Sequence, residues 1–467
     1  MDKDIEAVLV DKEHSSQNKK SYKAVLPGLV DIVEYKNQPH YLLKSGQDLI
    51  VRKSHRAGDN IHYPPSIDQL PWKLPRYEEV LKEYSKFLEL GVKTNEQLFD
   101  DVVEYHRNIS DLPDSLYLLI AAWTIHTYRQ EEFEYSPEMA FYAVPERGKS
   151  RTGKGMIYAA YRGVHIVSIR EPFIFRMAEL CSASLFFDIS KFLDVVEKNG
   201  CTDLFLNRFE KGGKVPRVLN PERGDFKDTK YYQVFGPTVI ATNTELDEVL
   251  DTRCVTVIMQ DTEREFEDDV RPEHGLPMRE RLVAYRAANM DTPLPDIPKP
   301  TKRRLGDIMR PLMQIIISMK PESHVKALEY ISSLEKDAVY RRSETLAGKL
   351  VAVLLHLENE VFDGVLSLKR ITEEMNDGTP EKYHYSPKRI GSMLTALGLR
   401  EKATAHWKTS DGSAAIPWNA KQVKRLSVQY GVDNTLSQDS VSSVTPVHDL
   451  KTGQTGQTEE KMNVRTH

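Results

Sequence analysis

Residues 144–158 read VPERGKSRTGKGMIY, directly after the apolar-aromatic run MAFYA (139–143). The stretch gathers Gly148, Gly153 and Gly155 among Arg147, Lys149, Arg151 and Lys154. Glycine costs backbone entropy, and clustered cations repel one another unless an anion sits among them. A strand, a glycine-containing loop, a lysine and then a helix together build an anion nest. Backbone N–H groups and the helix N-terminus face a polyphosphate, glycine lets the backbone approach, and lysine adds a point charge. Two registers fit. Gly148 to Lys154 gives GxxxxGK, followed by Gly155 where a hydroxyl residue ordinarily ligates Mg²⁺. Ala143 to Ser150 gives AxxxxGKS, which keeps the hydroxyl and loses the first glycine. The first register is preferred, with Lys154 as the phosphate lysine, because it leaves a full-length strand and opens the helix GMIYAAY directly after the lysine. The competing reading is a basic surface loop.

Working outward, the section from about Phe141 to Gln260 alternates apolar runs with helical ones: MAFYAV, GVHIVSI, ASLFFDI, PTVIATN and RCVTVIMQ. Apolar strands separated by helices predict an α/β fold with a buried, mainly parallel sheet. ASLFFDI ends in Asp188, where a strand would present a carboxylate to a metal. PTVIATN ends in Asn243, a side chain able to orient water. The predicted divisions are a small β-containing region (1–70), a helical lead-in (76–135), a nucleotide-binding core (136–290), a helical and winged-helix part (305–430) and a disordered tail (433–467) rich in Ser, Thr, Gln and Gly. Within the fourth part, YSPKRIGSMLTALGLR (385–400) carries helix signals: Ser386 as cap, Pro387 in the first turn, Gly398 as stop. WKTSDGSAAIPW (407–418) reads as a hairpin with Asp-Gly at its tip. The proline-spaced stretch DTPLPDIPKPTKRR (291–304) reads as a linker.

The whole chain has 467 residues, 40% apolar and 28% charged, with 64 basic against 69 acidic residues and a net charge of −5. That excludes a simple basic nucleic-acid coat, so any such contact rests on local patches. Cys181, Cys201 and Cys254 form no CxxC pair, which argues against a disulfide framework or a zinc site and fits a reducing cytoplasm. MDKDIEAVLVDKEH is too polar for a signal peptide, and the run LYLLIAAWTI (116–125) is too short to span a bilayer. The expected location is cytoplasmic.

The pieces taken in order resemble the helicase-like P-loop ATPases of phages, plasmids and other mobile elements, relatives of viral primase–helicases and of the AAA+ class. LLIAAWTIHTY (118–128) is similar to the helix before their nucleotide strand, GKSRTGKG (148–155) to their GxxRxGKG loop, YYQVFGPTVIATN (231–243) to the approach to their sensor strand, and LDTRCVTVIM (250–259) to their arginine-bearing turn. The resemblance implies ATP and Mg²⁺ as cofactors. Amides of Gly148, Lys149, Ser150, Arg151, Thr152, Gly153, Lys154 and Gly155 would surround the phosphates, with Lys154 on the β- and γ-phosphates. Asp188 would hold Mg²⁺, Asn243 would be the sensor, and Arg253 would act on the γ-phosphate, its own or that of a neighbouring subunit in a homo-oligomeric ring. The family usually follows its metal aspartate with a glutamate that activates water, whereas Ile189 follows Asp188. Either Asp194 or Glu179 substitutes, or hydrolysis is slow, at a cost of about 10²- to 10⁴-fold. NRFEKGGKVPRVLNPERG (207–224) offers Arg208, Lys211, Lys214, Arg217 and Arg223 around a Gly-Gly turn, where related ring helicases carry a hairpin that grips single-stranded DNA. Lys388 and Arg389 open the 385–400 helix and suit duplex DNA. The activity implied is ATP hydrolysis coupled to movement on DNA. The alternatives are an ATP-gated DNA-binding protein with little turnover, and a kinase-like phosphoryl transferase.

Overall fold

The computed structural model describes residues 20–432 apart from 220, 221, 223, 225, 226, 263, 402–406 and 411. Arg223 and the 433–467 tail lie outside the described residues. Two compact units divide the chain, Met1–Glu335 and Lys336–His467.

The first unit begins with short strands: β1 (Lys20–Tyr22), β2 (Leu29–Tyr35), β3 (Gln38–Ser45), β4 (Asp48–Arg52), β5 (His55–Ala57) and β6 (Asn60–Tyr63). β2, β3 and β4 form an antiparallel meander, and β6 lies between β1 and β5. The meander is tied to the rest of the unit by a buried ion pair. Arg162 Nε donates to Asp31 Oδ1 at 2.8 Å, with both side chains 1% exposed, and Arg162 also donates to the carbonyls of Ala24 and Cys181. Two charges removed from water persist only when each is hydrogen-bonded and paired. Helices α1 (Tyr77–Leu90), α2 (Val92–Arg107) and α3 (Asp114–His126) follow. Every residue of α3 from Leu119 to His126 is buried, which explains its apolar character on all sides.

The five apolar runs become five parallel strands: β7 (Glu138–Tyr142), β8 (Val164–Ile166), β9 (Leu185–Asp188), β12 (Thr238–Thr242) and β13 (Cys254–Ile258), in the order β13-β7-β12-β9-β8. Between them run α4 (Lys149–Ala159), α5 (Glu171–Cys181), α6 (Phe192–Lys198), α7 (Thr202–Arg208), the antiparallel hairpin β10 (Lys214–Val218) and β11 (Thr229–Gln233), and α8 (Glu248–Asp251). The sheet is apolar on both faces because both are covered. Met139 and Phe141 of β7 belong to the core that α3 and α4 share, while Ala140 belongs to the core with Phe175 and Phe205 on the other side. α9 (Pro272–Asn289) and α10 (Arg303–Met319) complete this unit with the first half of α11 (His324–Glu344). The 291–304 stretch is no free linker: Arg310 pairs with Asp296 at 2.5 Å, and the boundary between units falls inside α11 instead.

The second unit contains α12 (Leu346–His356), β14 (Val365–Ser367), α13 (Leu368–Asn376), α14 (Pro387–Ala396), β15 (Ala415–Pro417) and α15 (Ala420–Tyr430). Ser386 caps α14 by accepting from the Arg389 N–H at 3.3 Å. Lys408 bridges Ala414, and β15 then pairs antiparallel with β14. No described helix is long and apolar enough to cross a membrane.

Candidate nucleotide site

In a parallel sheet, polar side chains meet a ligand at the carboxyl ends of the strands, where the strand order reverses. β7 is that point here, since the chain leaves it for the far edge at β8 and later returns to flank it with β12 and β13. The loop after β7 runs from Ala143 to Gly148, and α4 starts at Lys149. Gly148 caps the helix in the left-handed region (φ +75°), and Glu146 is left-handed too (φ +67°). Alternating handedness of this kind turns successive N–H groups toward one point.

The helix start fixes where the two candidate lysines stand. Lys154 lies one turn inside α4 rather than ahead of it, and the loop follows the AxxxxGKS spacing. Lys149 Nζ donates to the Val144 carbonyl at 2.6 Å, and Ser150 Oγ donates to Asp188 Oδ1 at 2.7 Å. Gly153 and Gly155 are packing residues. A Cβ at 153 would overlap the Phe186 ring, and one at 155 would crowd Ile109. Thr152 is buried and bonds to Ser110 at 2.9 Å. Arg151 donates to the carbonyls of Ile109 and Asp268 at 2.6 Å each and lies over Phe266.

An open cavity of about 430 Å³ gathers Lys149, Ser150, Lys154, Asp188, Asn243 and Asp269 on its walls. Such a volume suits a nucleotide. Burial is the main influence on Lys149 and lowers its pKa, opposed by the Asp188 charge. Burial acts to raise Asp188, but the nearby His165 ring, the hydrogen bond from Ser150 and the charge of Lys154 outweigh it, so the carboxyl lies below its usual range. His165 also stands here, a residue that no sequence pattern singles out. Its Nε2 stands 3.6 Å from Asp188 Oδ2, and its ring stacks on Phe186 at 5.0 Å. A lone histidine in a three-residue strand carries no signal; only the pairing of β8 with β9 reveals it. Neither expected stand-in for the missing glutamate lines the cavity. Glu179 faces Lys230 at 3.5 Å, and Asp194 sits in the first turn of α6. The acidic groups that do line it are Glu146, Asp188 and Asp269.

Arg253 is elsewhere. It precedes Cys254, which pairs with Glu138 at the amino edge of the sheet, the end opposite the loop. Its guanidinium donates to the Leu206 carbonyl at 3.1 Å and lies 5.1 Å from the Phe209 ring centroid. At the same edge Glu138 is fully buried, and burial pushes its carboxyl up to about 8 against the charges of Arg208 and Arg253.

Two of the expected DNA-facing cations are already engaged. Arg208 is 0% exposed; it donates to Thr238 Oγ1 and to the carbonyls of Val234, Gly236 and Pro237. Burial pulls it down to about 10. It cannot meet a phosphate without unfolding its surroundings. Arg217 pairs with Glu171 and, at 3.4 Å, with Asp203, which staples β10 to α5. Lys211 Nζ reaches the Glu131 carbonyl at 2.8 Å and is exposed, while Lys214 opens β10 on its exposed face. The Gly212–Gly213 turn leads into β10. In the other unit Lys388 and Arg389 are exposed at the start of α14, with Arg389 over Tyr385.

No family model matches the chain, and no curated protein matches it. Among solved structures it is similar to the apo C-terminal region of NrS-1, at 11% identity over 83% of this chain and 96% of that one (TM-score 0.33). It is similar to a full-length MCM homolog from Methanopyrus kandleri at 12% identity over 67% and 77% (TM-score 0.37). It is also similar to SCCmec type IV Cch, described as an active helicase, at 10% identity over 84% and 79% (TM-score 0.34). At scores this low the fold rests on the sheet order and loop geometry of this chain, which fit a P-loop nucleotide-binding core. Among the described residues no cluster of His, Cys, Asp and Glu could hold a metal by itself. The Ser150 hydroxyl and Asp188 carboxylate are oxygen donors of the kind that suit a hard divalent cation.

Proposed function

We propose that this protein is a helicase-like P-loop ATPase that couples ATP hydrolysis to movement on DNA, as mobile-element replication proteins do. The observation that carries the reading is the Ser150 Oγ to Asp188 Oδ1 bond of 2.7 Å beneath a left-handed glycine cap. A hydroxyl at the helix start joined to a strand-end carboxylate is the arrangement that holds Mg²⁺ on a triphosphate. Lys149, rather than Lys154, neutralises the β- and γ-phosphates, and the amides of Gly148, Lys149 and Ser150 bind phosphate oxygens. Lys154 is a second cation on the wall, one turn below. Asn243 orients water. Arg253 stands at the opposite edge from its own chain's cavity, so it serves a neighbouring subunit's nucleotide in a ring.

Lys211 and Lys214 contact single-stranded DNA at the base of the hairpin. The order helix, strand, helix, helix, strand in the second unit reads as a winged helix, with Lys388 and Arg389 on duplex phosphates. With no glutamate after Asp188, turnover is slow. The deciding experiment is ATP turnover with and without single-stranded DNA in wild type, Lys149→Ala and Lys154→Ala. Turnover that rises with DNA and is lost in Lys149→Ala supports the motor. Retention in Lys149→Ala with loss in Lys154→Ala overturns the assignment of the lysines, and turnover indifferent to DNA overturns the coupling.

A further inference from the structure

A second site lies in the N-terminal strands, far in sequence from the phosphate loop. β1 pairs with β6 in parallel, with Tyr22 beside Tyr63 in the register. Register partners on adjacent strands point to one face, and the two rings stand 6.3 Å apart, tilted at 49°. The other face carries Ser21 and His62, joined by a 2.5 Å bond, with His62 buried. Alternation thus turns the histidine inward and both tyrosines outward, leaving Tyr22 69% exposed. An aromatic side chain carries a large apolar area, and leaving it in water forgoes that burial. Arg56 of β5 pairs with Ile61, which is on the Tyr63 face. Beside the rings opens a groove of about 590 Å³ lined by Gln38, His40, Lys53, Ser66 and Asp68 along with the tyrosines. Lys53 on the groove wall and Arg56 of β5 are exposed, and neither makes an ion pair among the described residues. The segment that follows β1 is tied down by side chains of the neighbouring elements: Tyr41 donates to the Lys23 carbonyl at 2.7 Å and Arg162 to the Ala24 carbonyl at 2.9 Å.

We propose that this groove binds single-stranded nucleic acid, with a base stacked on Tyr22 and Tyr63, the amide of Gln38 and carboxylate of Asp68 available to base edges, and Lys53 and Arg56 on the backbone. Exposed aromatics beside unpaired cations form the platform that single strands use, since every base has a π-face and every nucleotide a negative charge. The site stands apart from the hairpin and holds whether or not the chain hydrolyses ATP.

The test is an anisotropy titration of the full chain, without nucleotide, against labelled oligothymidylate and oligouridylate across a salt series. Stacking is worth about 1–3 kcal/mol per base, so Tyr22→Ala weakens binding by about 5- to 150-fold. Its salt slope stays unchanged, because no ionic contact is lost. Tyr22→Phe keeps wild-type affinity. Lys53→Glu flattens the log–log slope by about 0.7 or more. Because Tyr22 is exposed, an unaltered melting temperature shows that the fold survives. Preference between the two oligomers tells DNA from RNA. Wild-type affinity in Tyr22→Ala overturns the site, as does a Tyr22→Phe chain as weak as Tyr22→Ala, or a wild-type chain that binds neither oligomer. Loss of turnover in Lys149→Ala bears on the phosphate loop alone and leaves this titration unmoved.

Discussion

The two ends of the parallel sheet treat charge in opposite ways. At the carboxyl end, Lys149, Ser150, Lys154 and Asp188 converge on open space. At the amino end, Glu138 and Arg208 are sealed in, and each guanidinium nitrogen of Arg208 finds an oxygen of the same chain. The difference teaches what a cation is for. One whose donors are all matched internally holds the fold, whereas one left facing a cavity awaits a ligand. Sequence lists both alike.

The comparison breaks if Arg208 proves dispensable. Arg208→Ala orphans several buried carbonyls at about 1–3 kcal/mol each, so a destabilisation of about 3–5 kcal/mol is expected in a urea titration, with DNA affinity of the folded fraction unchanged. Next in size is the phosphate loop. Lys149→Ala should lower ATP turnover by about 10²- to 10³-fold, the usual effect of losing one charge-stabilising donor, and Lys154→Ala by much less. Glu138 sharpens the contrast through pH. Its folded pKa is raised, so the folded state holds a proton that the unfolded state releases between the ordinary carboxylate range and about 8. The stability that Glu138 contributes is therefore fully present at low pH and is lost as pH rises through that window. Glu138→Gln should abolish that slope in melting temperatures, a gain on the order of a few kcal/mol at alkaline pH. The smallest effects separate the hairpin's cations. Lys214→Ala should reduce the salt slope of single-stranded DNA binding by about 0.7, whereas Arg217→Ala should leave the slope alone and cost about 1 kcal/mol of stability or less.

The parallel sheet was legible because it rests on apolar runs, and these appear in sequence at full strength. The cap of α14 was legible too, since Ser386 and Pro387 act on their immediate neighbours. The choice between the two lysine registers was not. GxxxxGK and AxxxxGKS overlap, and what separates them is the fit of a helix against a strand: Gly153 is small because Phe186 lies beneath it, a contact that spacing cannot express. Arg208 was misread for a related reason. Its partners on β12 and the segment before it are distant in sequence, so its charge looked free. His165 was missed because its meeting with Asp188 depends on the order of strands, and the small N-terminal strands offered tyrosines whose common face appears only once β1 and β6 are paired.

Gly153 also has a consequence for the chemistry. With no side chain between them, α4 rests directly on β9, and the height of its first turn above the strand that carries Asp188 is set by that contact. A single methyl group at 153 would act as a shim. It would tilt the helix and part the Ser150 hydroxyl from the carboxylate it touches, from a position nearly one turn further along the helix.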